Sequence, residues 1–249
     1  MLISIITATY NSANEILETY ESIKNQTYTN WEWLITDDCS SDNTLNILND
    51  LSVKDTRIKI LKNKHNSGAA VARNKSINAA EGEFLAFIDS DDVWNKNKLQ
   101  YQLDFMLNNN VKFSFTAYEL IDVNGLPLNK TVDTHLLKGV SYRDMLMKKA
   151  TLGCSTVMVK AKAFEDLTMP LLRTGQDYAL WLKLLKKDVI AEPISLVLTQ
   201  YRIRPGSISR NKIKKAKRQW QIYRQIEKVS FGLSLFYFVN YAYRAIFRK

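Results

Sequence analysis

The first hundred residues alternate between short apolar runs and longer stretches with apolar positions at helical spacing. Ile3–Thr7 has the length and composition of a strand, and the polar loop Ala8-Thr9-Tyr10-Asn11-Ser12 follows it. Within Glu15–Asn25, Ile16, Leu17, Tyr20 and Ile23 fall on one helical face. Trp31–Thr36 predicts a second strand, ending at Asp37-Asp38, and Asp42 stands where a cap would open a helix carrying Leu45, Leu48 and Leu51. Arg57–Leu61 predicts a third strand, and Ser67–Ala80 a loop followed by a helix. Phe84–Ile88 predicts a fourth strand, and Lys96–Leu107 a helix with Leu99, Leu103 and Met106 inward. Strand and helix in alternation imply an α/β fold with a parallel sheet and right-handed crossovers.

The pattern loosens afterwards. Val111–Ala117, Ser155–Val159 and Leu196–Tyr201 are strand candidates, Asn124-Gly125 is a turn signal, and Tyr178–Leu185 has helical spacing. In parallel sheets, ligands bind outside the carboxyl ends of the strands. Three polar groups fall at such ends: Thr9 with Asn11, Asp37 with Asp38, and Asp89 with Asp91. A single cleft accounts for all three.

The sharpest of these ends is Phe84-Leu85-Ala86-Phe87-Ile88-Asp89-Ser90-Asp91-Asp92, an apolar run that stops in three carboxylates. Clustered acids repel one another and desolvate badly. A divalent cation relieves both costs, because Mg²⁺ takes one or two protein carboxylates and completes its shell with water and substrate phosphates. For an isolated Asp-x-Asp, a solvated helix-capping turn is the simpler reading. The other strand ends favour a metal-diphosphate site.

Composition excludes several classes. The two cysteines, Cys39 and Cys154, form no Cys-x-x-Cys pair, and the two histidines, His65 and His135, have no ligand spacing. A zinc site and a disulfide framework are therefore not expected, and a reducing cytoplasm fits. No Gly-x-Gly-x-x-Gly occurs among the scattered glycines, which argues against dinucleotide binding. Met1-Leu2-Ile3-Ser4-Ile5-Ile6 has no basic n-region and reads as a first strand rather than a signal peptide.

The formal net charge of +10 is confined to one end. From Pro205 to Lys249 there are eleven Lys or Arg and one acid, Glu227, and the rest of the chain balances at 24 of each sign. This divides the chain into a neutral domain, residues 1–204, and a basic tail, residues 205–249. In the tail, Ile213, Trp220, Tyr223 and Glu227 share roughly one helical side. Phe231–Phe247 is apolar and aromatic but short, and it contains Asn240 and Arg244. A bilayer span needs about 20 apolar residues, so an interfacial helix on an anionic membrane is favoured over a spanning one. The alternative is a helical hairpin packed on the domain or on a second subunit, which would make the protein a homodimer. A nucleic-acid-binding module would use Arg210, Lys212, Lys214, Lys215, Lys217 and Arg218, but no nucleic-acid motif accompanies them, so nucleic acid is not expected as a partner.

Ala8-Thr9-Tyr10-Asn11, Asp37-Asp38-Cys39-Ser40-Ser41-Asp42, Asn66-Ser67-Gly68 through Ala72-Arg73-Asn74, and Asp89-Ser90-Asp91-Asp92 together resemble the ordered motifs of glycosyltransferase family 2. The resemblance extends to about residue 205. It implies a GT-A fold, a mostly parallel Rossmann-like sheet flanked by helices, to which this chain adds its basic helical tail. It also implies inverting sugar transfer from a nucleotide-sugar, most often a UDP-sugar. By resemblance, Ala8, Thr9 and Asn11 line the base and ribose, Asp38 bonds the uracil ring, and Arg73 lies near the donor. Asp91 holds Mg²⁺ or Mn²⁺, with Asp89 at the metal or the ribose. In Gly175-Gln176-Asp177-Tyr178-Ala179-Leu180-Trp181, Asp177 matches the catalytic base, while Gln176 stands where the family often has a second acid. Tyr201 to Ser209 resembles the family's closing loop, with Arg204 near the position where many relatives have a histidine; a guanidinium there would suit phosphate. The expected acceptor is a hydroxyl of a glycan or lipid-linked glycan in bacterial surface-polysaccharide synthesis, and the expected location is the inner face of the cell membrane.

Other classes fit less well. A glycoside hydrolase also uses two carboxylates but needs neither a base-reading Asp38 nor an Asp-x-Asp. A nucleotidyltransferase would show a glycine- and base-rich first loop, which Thr7–Ser12 is not. A non-catalytic sugar-nucleotide-binding protein remains the further alternative.

Overall fold

The computed structural model describes residues 1–186, 188–204 and 212–247. The segment Pro205–Ser209 of the expected closing loop, and Arg210, lie outside the described residues, as do the side chains of Lys212, Ile213, Ile246 and Phe247. The first half follows its hydrophobic pattern: β1 Ile3–Thr9, α1 Ile16–Lys24, β2 Trp31–Asp37, α2 Thr44–Lys54, β3 Ile58–Lys62, α3 Ala69–Asn78 and β4 Phe84–Phe87. The order β3-β2-β1-β4 is parallel throughout, with β1 between β2 and β4. The cap of α2 is Asn43 and not the expected Asp42, which stands one residue earlier and accepts on Oδ1 from Thr44 N–H and Oγ1 at 3.0 and 2.6 Å.

Both faces of this half are buried, so its strands are almost continuously apolar. Ile3, Ile5, Trp33 and Ile35 face one core together with Ile16, Leu48, Leu99 and Leu103. Ile6, Leu34, Leu85 and Phe87 face the other, with Ala70, Leu180 and Trp181.

Beyond β4 the sheet becomes mixed. The further elements are β5 Val93–Trp94, α4 Lys98–Asn108, β6 Phe113–Ile121, β7 Pro127–Val132, α5 Tyr142–Leu146, β8 Val157–Lys160, α6 Gln176–Leu184 and β9 Glu192–Arg202. β8 pairs antiparallel with β4 and β6, while β6 and β9 run parallel. Three elements had no sequence signal. β5 has two residues, and β7 is an exposed hairpin arm of β6 with no apolar face. α5 is a single turn, held by a capping box between Ser141 and Asp144.

The tail forms α7 Lys212–Gln221, a π-helical turn Ile222–Ile226, and α8 Phe231–Phe247. This hairpin packs on the domain. Ile222, Tyr223 and Tyr237 join the core that contains Leu180 and Trp181. Tyr223 Oη donates to the Leu146 carbonyl at 2.5 Å, and Gln219 Nε2 to Tyr178 Oη at 2.9 Å. Glu227 accepts from Tyr142 Oη at 2.6 Å and pairs with Lys186 at 2.9 Å. The opposite face of α8 is open: Phe231, Leu233, Leu235, Phe236, Val239 and Tyr243 are all exposed.

Lys98, in the first turn of α4, is fully buried. Its Nζ donates to Gln102 Oε1 at 2.5 Å and lies 4.5 Å from the Trp94 ring centre. Among the described residues no carboxylate pairs with it, and burial alone pushes its ammonium down to about 7. In the unfolded chain the same lysine titrates near 10.5. Between those values the unfolded state binds the extra proton, so stability rises with pH across the window. Lys98→Met is expected to flatten that rise, as read by urea unfolding at several pH values from 7 to 10.5. An unchanged slope would assign the titration to another group.

Candidate active site

The three polar strand ends meet in one place. The loop after β1 is bound to the loop after β2: Asp38 N–H donates to the Thr9 carbonyl at 2.9 Å, and Ser41 N–H to Asn11 Oδ1 at 2.9 Å. Asn11 takes a left-handed conformation, φ 50°, which asparagine tolerates better than most residues. The same loop reaches the turn after β4 through Ser12 Oγ and Ser90 Oγ, 2.8 Å apart. Thr9 is buried with no partner for its Oγ1.

Asp37 and Asp38 are both buried but differently engaged. Asp38 accepts from Asn63 Nδ2 at 2.8 Å and from the N–H groups of Ser67 and Gly68 at 2.9 and 2.7 Å. It thereby ties the β2 end to the loop before α3, and three of its roughly four acceptor positions are used. Asp37 Oδ2 accepts from Ser40 N–H at 3.0 Å, and Oδ1 has no partner.

The acids of the turn after β4 have separate counterparts. Asp89 pairs with Arg73, a buried guanidinium on α3 whose Nε and Nη1 have no hydrogen-bond partner. Burial opposes the Arg73 charge, and the nearby Cys154, Asp89 and Asp177 outweigh that, so it stays firmly protonated. Asp91 pairs with Arg204 at 2.9 Å, and Arg204 also pairs with Glu15 at 2.9 Å. Burial and the charge of Asp89 push the Asp91 carboxyl up to about 6. Asp92 is structural: it accepts from Ser155 Oγ at 2.5 Å and from Arg202 N–H at 2.9 Å.

Burial and mutual repulsion among Asp89, Asp91 and Glu15 are what a site awaiting a cation would show. Among the described residues no three His, Cys, Asp or Glu side chains form a complete metal cage. The residues therefore fit a cation held by one or two carboxylates, with the rest of its shell supplied by a diphosphate.

Asp177 reaches this turn from α6. Its helix starts at Gly175, whose left-handed φ of 74° favours glycine, and a Cβ there would stand 2.8 Å from Cδ of the flexible Arg218 side chain. One turn after Asp177, Trp181 is wedged edge-on between Phe87 and Phe113, at ring distances of 5.2 and 5.5 Å. That packing fixes α6 against β4 and β6 and hence the position of Asp177. Burial raises the Asp177 carboxyl, opposed by Arg73 and Arg218. A cavity of about 890 Å³ has Asp89, Cys154 and Asp177 in its wall. Ala8, Thr9, Asn11, Asp38, Arg73, Asp91 and Arg204 are not among its lining residues.

Sequence reasoning missed three residues. The buried Arg202 donates from Nε to the Asp91 carbonyl at 2.7 Å and from Nη1 to the carbonyls of Asp122 and Val123, both at 3.2 Å, and it pairs with Glu18. Ser155 Oγ donates to Asp92 and accepts from Asp89 N–H at 3.0 Å. Cys154 places its thiol beside Arg73, Asp89 and Asp177, where burial holds it well above its usual range. Only Arg202 had a signal, as a charged residue next to Arg204 in the closing-loop motif.

The architecture and these motifs place the protein in a class of sugar-transferring α/β enzymes. The model of glycosyl transferase family 2 matches residues 4–167. The chain is 43% identical over 248 residues to TuaG of Bacillus subtilis, named as a teichuronic acid biosynthesis glycosyltransferase, covering 100% of this chain and 97% of that protein. It is 40% identical over 222 residues to WfgD of Escherichia coli, covering 89% and 85%. WfgD is named a UDP-Glc:alpha-D-GlcNAc-diphosphoundecaprenol beta-1,3-glucosyltransferase. The chain therefore belongs to glycosyltransferase family 2 and is a glycosyltransferase. Among solved structures, S. aureus TarS 1–349 in complex with UDP-GlcNAc superposes with a TM-score of 0.76 at 22% identity, over 100% of this chain and 74% of that one. The Pyrobaculum calidifontis mannosyltransferase PcManGT, in complex with GDP-Man and Mn²⁺, superposes at 0.70 and 16% identity, over 92% and 64%. At these identities the superpositions establish the GT-A fold alone.

Proposed function

We propose that this enzyme moves a sugar from a UDP-sugar to a hydroxyl of a glycan or lipid-linked glycan in bacterial surface-polysaccharide synthesis, inverting the anomeric centre. The observation that carries the reading is the meeting of the Asp89–Asp92 turn with Asp177 around the buried Arg73. Residues 1–204 act as the catalytic domain. The names of TuaG and WfgD support the acceptor class, and the UDP-sugar in the name of WfgD supports the donor.

Ala8, Thr9 and Asn11 line the nucleoside, and the remaining acceptor position of Asp38 takes the N–H of the base. Arg73 and Arg204 face the diphosphate, with Arg204 exchanging Asp91 for phosphate oxygens when the donor arrives. Asp91, with Asp89, would hold Mg²⁺ or Mn²⁺. The cation supplies Lewis-acid stabilisation of the charge that develops on the leaving diphosphate. Asp177 accepts the proton of the attacking hydroxyl. Burial raises its proton affinity, as a base needs, and Arg73 and Arg218 oppose that rise. Attack from the face opposite the diphosphate gives inversion.

UDP is expected to bind with a requirement for Mg²⁺ or Mn²⁺, read by calorimetry with and without EDTA. Equal affinity in both conditions would remove the metal from the site, and absence of UDP binding would overturn the donor. Asp177→Asn is expected to lower kcat by roughly 10²–10⁴-fold while donor affinity changes little. Near-wild-type turnover in that variant would move the base elsewhere.

The tail hairpin, within residues 205–249, docks on the inner face of an anionic membrane. α8 is about 25 Å long, short of a bilayer core. Among the described residues no helix is long and apolar enough to cross a membrane. The open face of α8 accompanies the whole net charge of the chain, a combination that suits anionic headgroups. Sedimentation with phosphatidylglycerol vesicles at low salt is expected, and Phe236→Asp with Val239→Asp should abolish it. If the unmodified protein stays in the supernatant and runs as a dimer, that face belongs to a second copy.

A further inference from the structure

The turn that carries Asp177 is held from the tail. Among the described residues no side chain caps the first turn of α6, and Gly175 enters it in a left-handed conformation. The N–H of Ala179 donates to the Gly175 carbonyl at 3.0 Å and closes this turn around Asp177. Arg218 of α7 lies directly across Gly175: a Cβ there would stand 2.8, 3.3 and 3.4 Å from its Cδ, Nε and Nη1. The next residue of α7, Gln219, is buried and donates from Nε2 to Tyr178 Oη at 2.9 Å. Tyr178 Oη in turn donates to the Met145 carbonyl at 3.0 Å, which anchors it to α5. Two consecutive tail residues therefore grip positions before and after Asp177 in the chain. Ile222 and Tyr223 extend the grip by packing in one core with Leu180 and Trp181.

Arg218 differs from the other contacts in bringing charge as well as shape. Two cations act on Asp177, Arg73 and Arg218. Arg73 is paired with Asp89, and in the proposed reaction it also faces the diphosphate. Arg218 belongs to neither task. A guanidinium near a carboxylate in a poorly solvated site acts on it more strongly than it would in water. Its stem across Gly175 fixes the backbone of the turn, and its charge favours one direction of the Asp177 side chain.

We infer that Arg218 is a positioning residue for the catalytic base: lying across Gly175, and helped by Gln219 at Tyr178, it sets where Asp177 meets the acceptor hydroxyl. This rests on the reading of Asp177 as the base. It also makes the tail hairpin part of the catalytic unit, so that its contribution to turnover does not depend on a membrane being present.

The test uses the full chain without vesicles. Hydrogen exchange read by mass spectrometry reports on the turn itself and needs no substrate. Arg218→Ala is expected to speed exchange of the Ala179–Leu182 amides at least about tenfold, and Arg218→Lys to stay within about threefold of the unmodified chain. Lys217→Ala, at the exposed neighbouring position, should leave those amides as they are. Unchanged exchange in β1 to β4 is the control for folding. Turnover is read as UDP release from UDP-glucose and from UDP-GlcNAc, with water as acceptor. Arg218→Ala should lower kcat at least about tenfold while the donor KM moves less than about threefold, and Arg218→Lys should recover most of the loss. In an Asp177→Asn background Arg218→Ala should cost nothing more, because it acts through that carboxylate. Unchanged exchange at Ala179–Leu182 in Arg218→Ala overturns the inference, and so does a kcat loss that adds in full to that of Asp177→Asn. A loss in Asp177→Asn beside an unaffected Arg218→Ala overturns the inference alone. Near-wild-type turnover of Asp177→Asn instead strikes the base reading, and the inference falls with it.

Discussion

Three carboxylates within four residues at the end of a buried strand must be neutralised, and the arrangement of the molecule around them follows from how that is done. Asp89 takes Arg73 from α3 and Asp91 takes Arg204 from beyond β9, whereas Asp92 is held by hydrogen bonds from Ser155 Oγ and the Arg202 N–H while burial and the charges of Asp91 and Asp89 push its carboxyl well up. Each acid thus recruits a different part of the chain. The turn after β4 becomes the point where the parallel and mixed halves of the sheet are joined. Arg202 completes the joint from below by bonding the Asp91 carbonyl and the turn at Asp122 and Val123. Burial makes these contacts matter, because an unpaired carboxylate at this depth would give up its charge instead.

The two halves of the sheet then serve different sides of the cleft. The parallel half offers three strand ends lashed together by Asp38 N–H to Thr9 and by Ser12 to Ser90. The mixed half brings β6, β7 and α6 around the cavity. Asp177 sits on a helix whose position depends on Trp181 packed between Phe87 and Phe113, one strand residue from each half. A rigid aromatic contact in the core therefore sets the distance between a candidate base and a candidate metal turn. The tail hairpin is divided in a similar way. Tyr223 and Tyr237 belong to the core, while Phe236 and Val239 face outward, so one element both supports α6 and presents an apolar surface.

Much of this was readable along the chain. Strand ends in a parallel sheet carry their polar residues in sequence, so Thr9, Asn11, Asp38, Asp89 and Asp91 announce themselves wherever an apolar run stops. Asp177 was visible only through the resemblance of Gly175–Trp181 to a family motif, and the charge of the tail through simple counting. What periodicity could not show were elements too short or too exposed to have a period: β5, β7 and α5. Arg202 and Ser155 were obscured for a different reason, since their roles consist of contacts to residues more than sixty positions away.

By itself the sequence determined the alternation of strand and helix, the acids at the strand ends and the segregation of charge, because these depend on local pattern and composition. Only the tertiary structure decided which cation answers which acid, that the tail packs on the domain with one face and leaves the other open, and that Arg218 and Gln219 of the tail lie against the turn that carries Asp177. Those are matters of through-space distance between segments, and electrostatic pairing and burial are set by that distance and not by position along the chain.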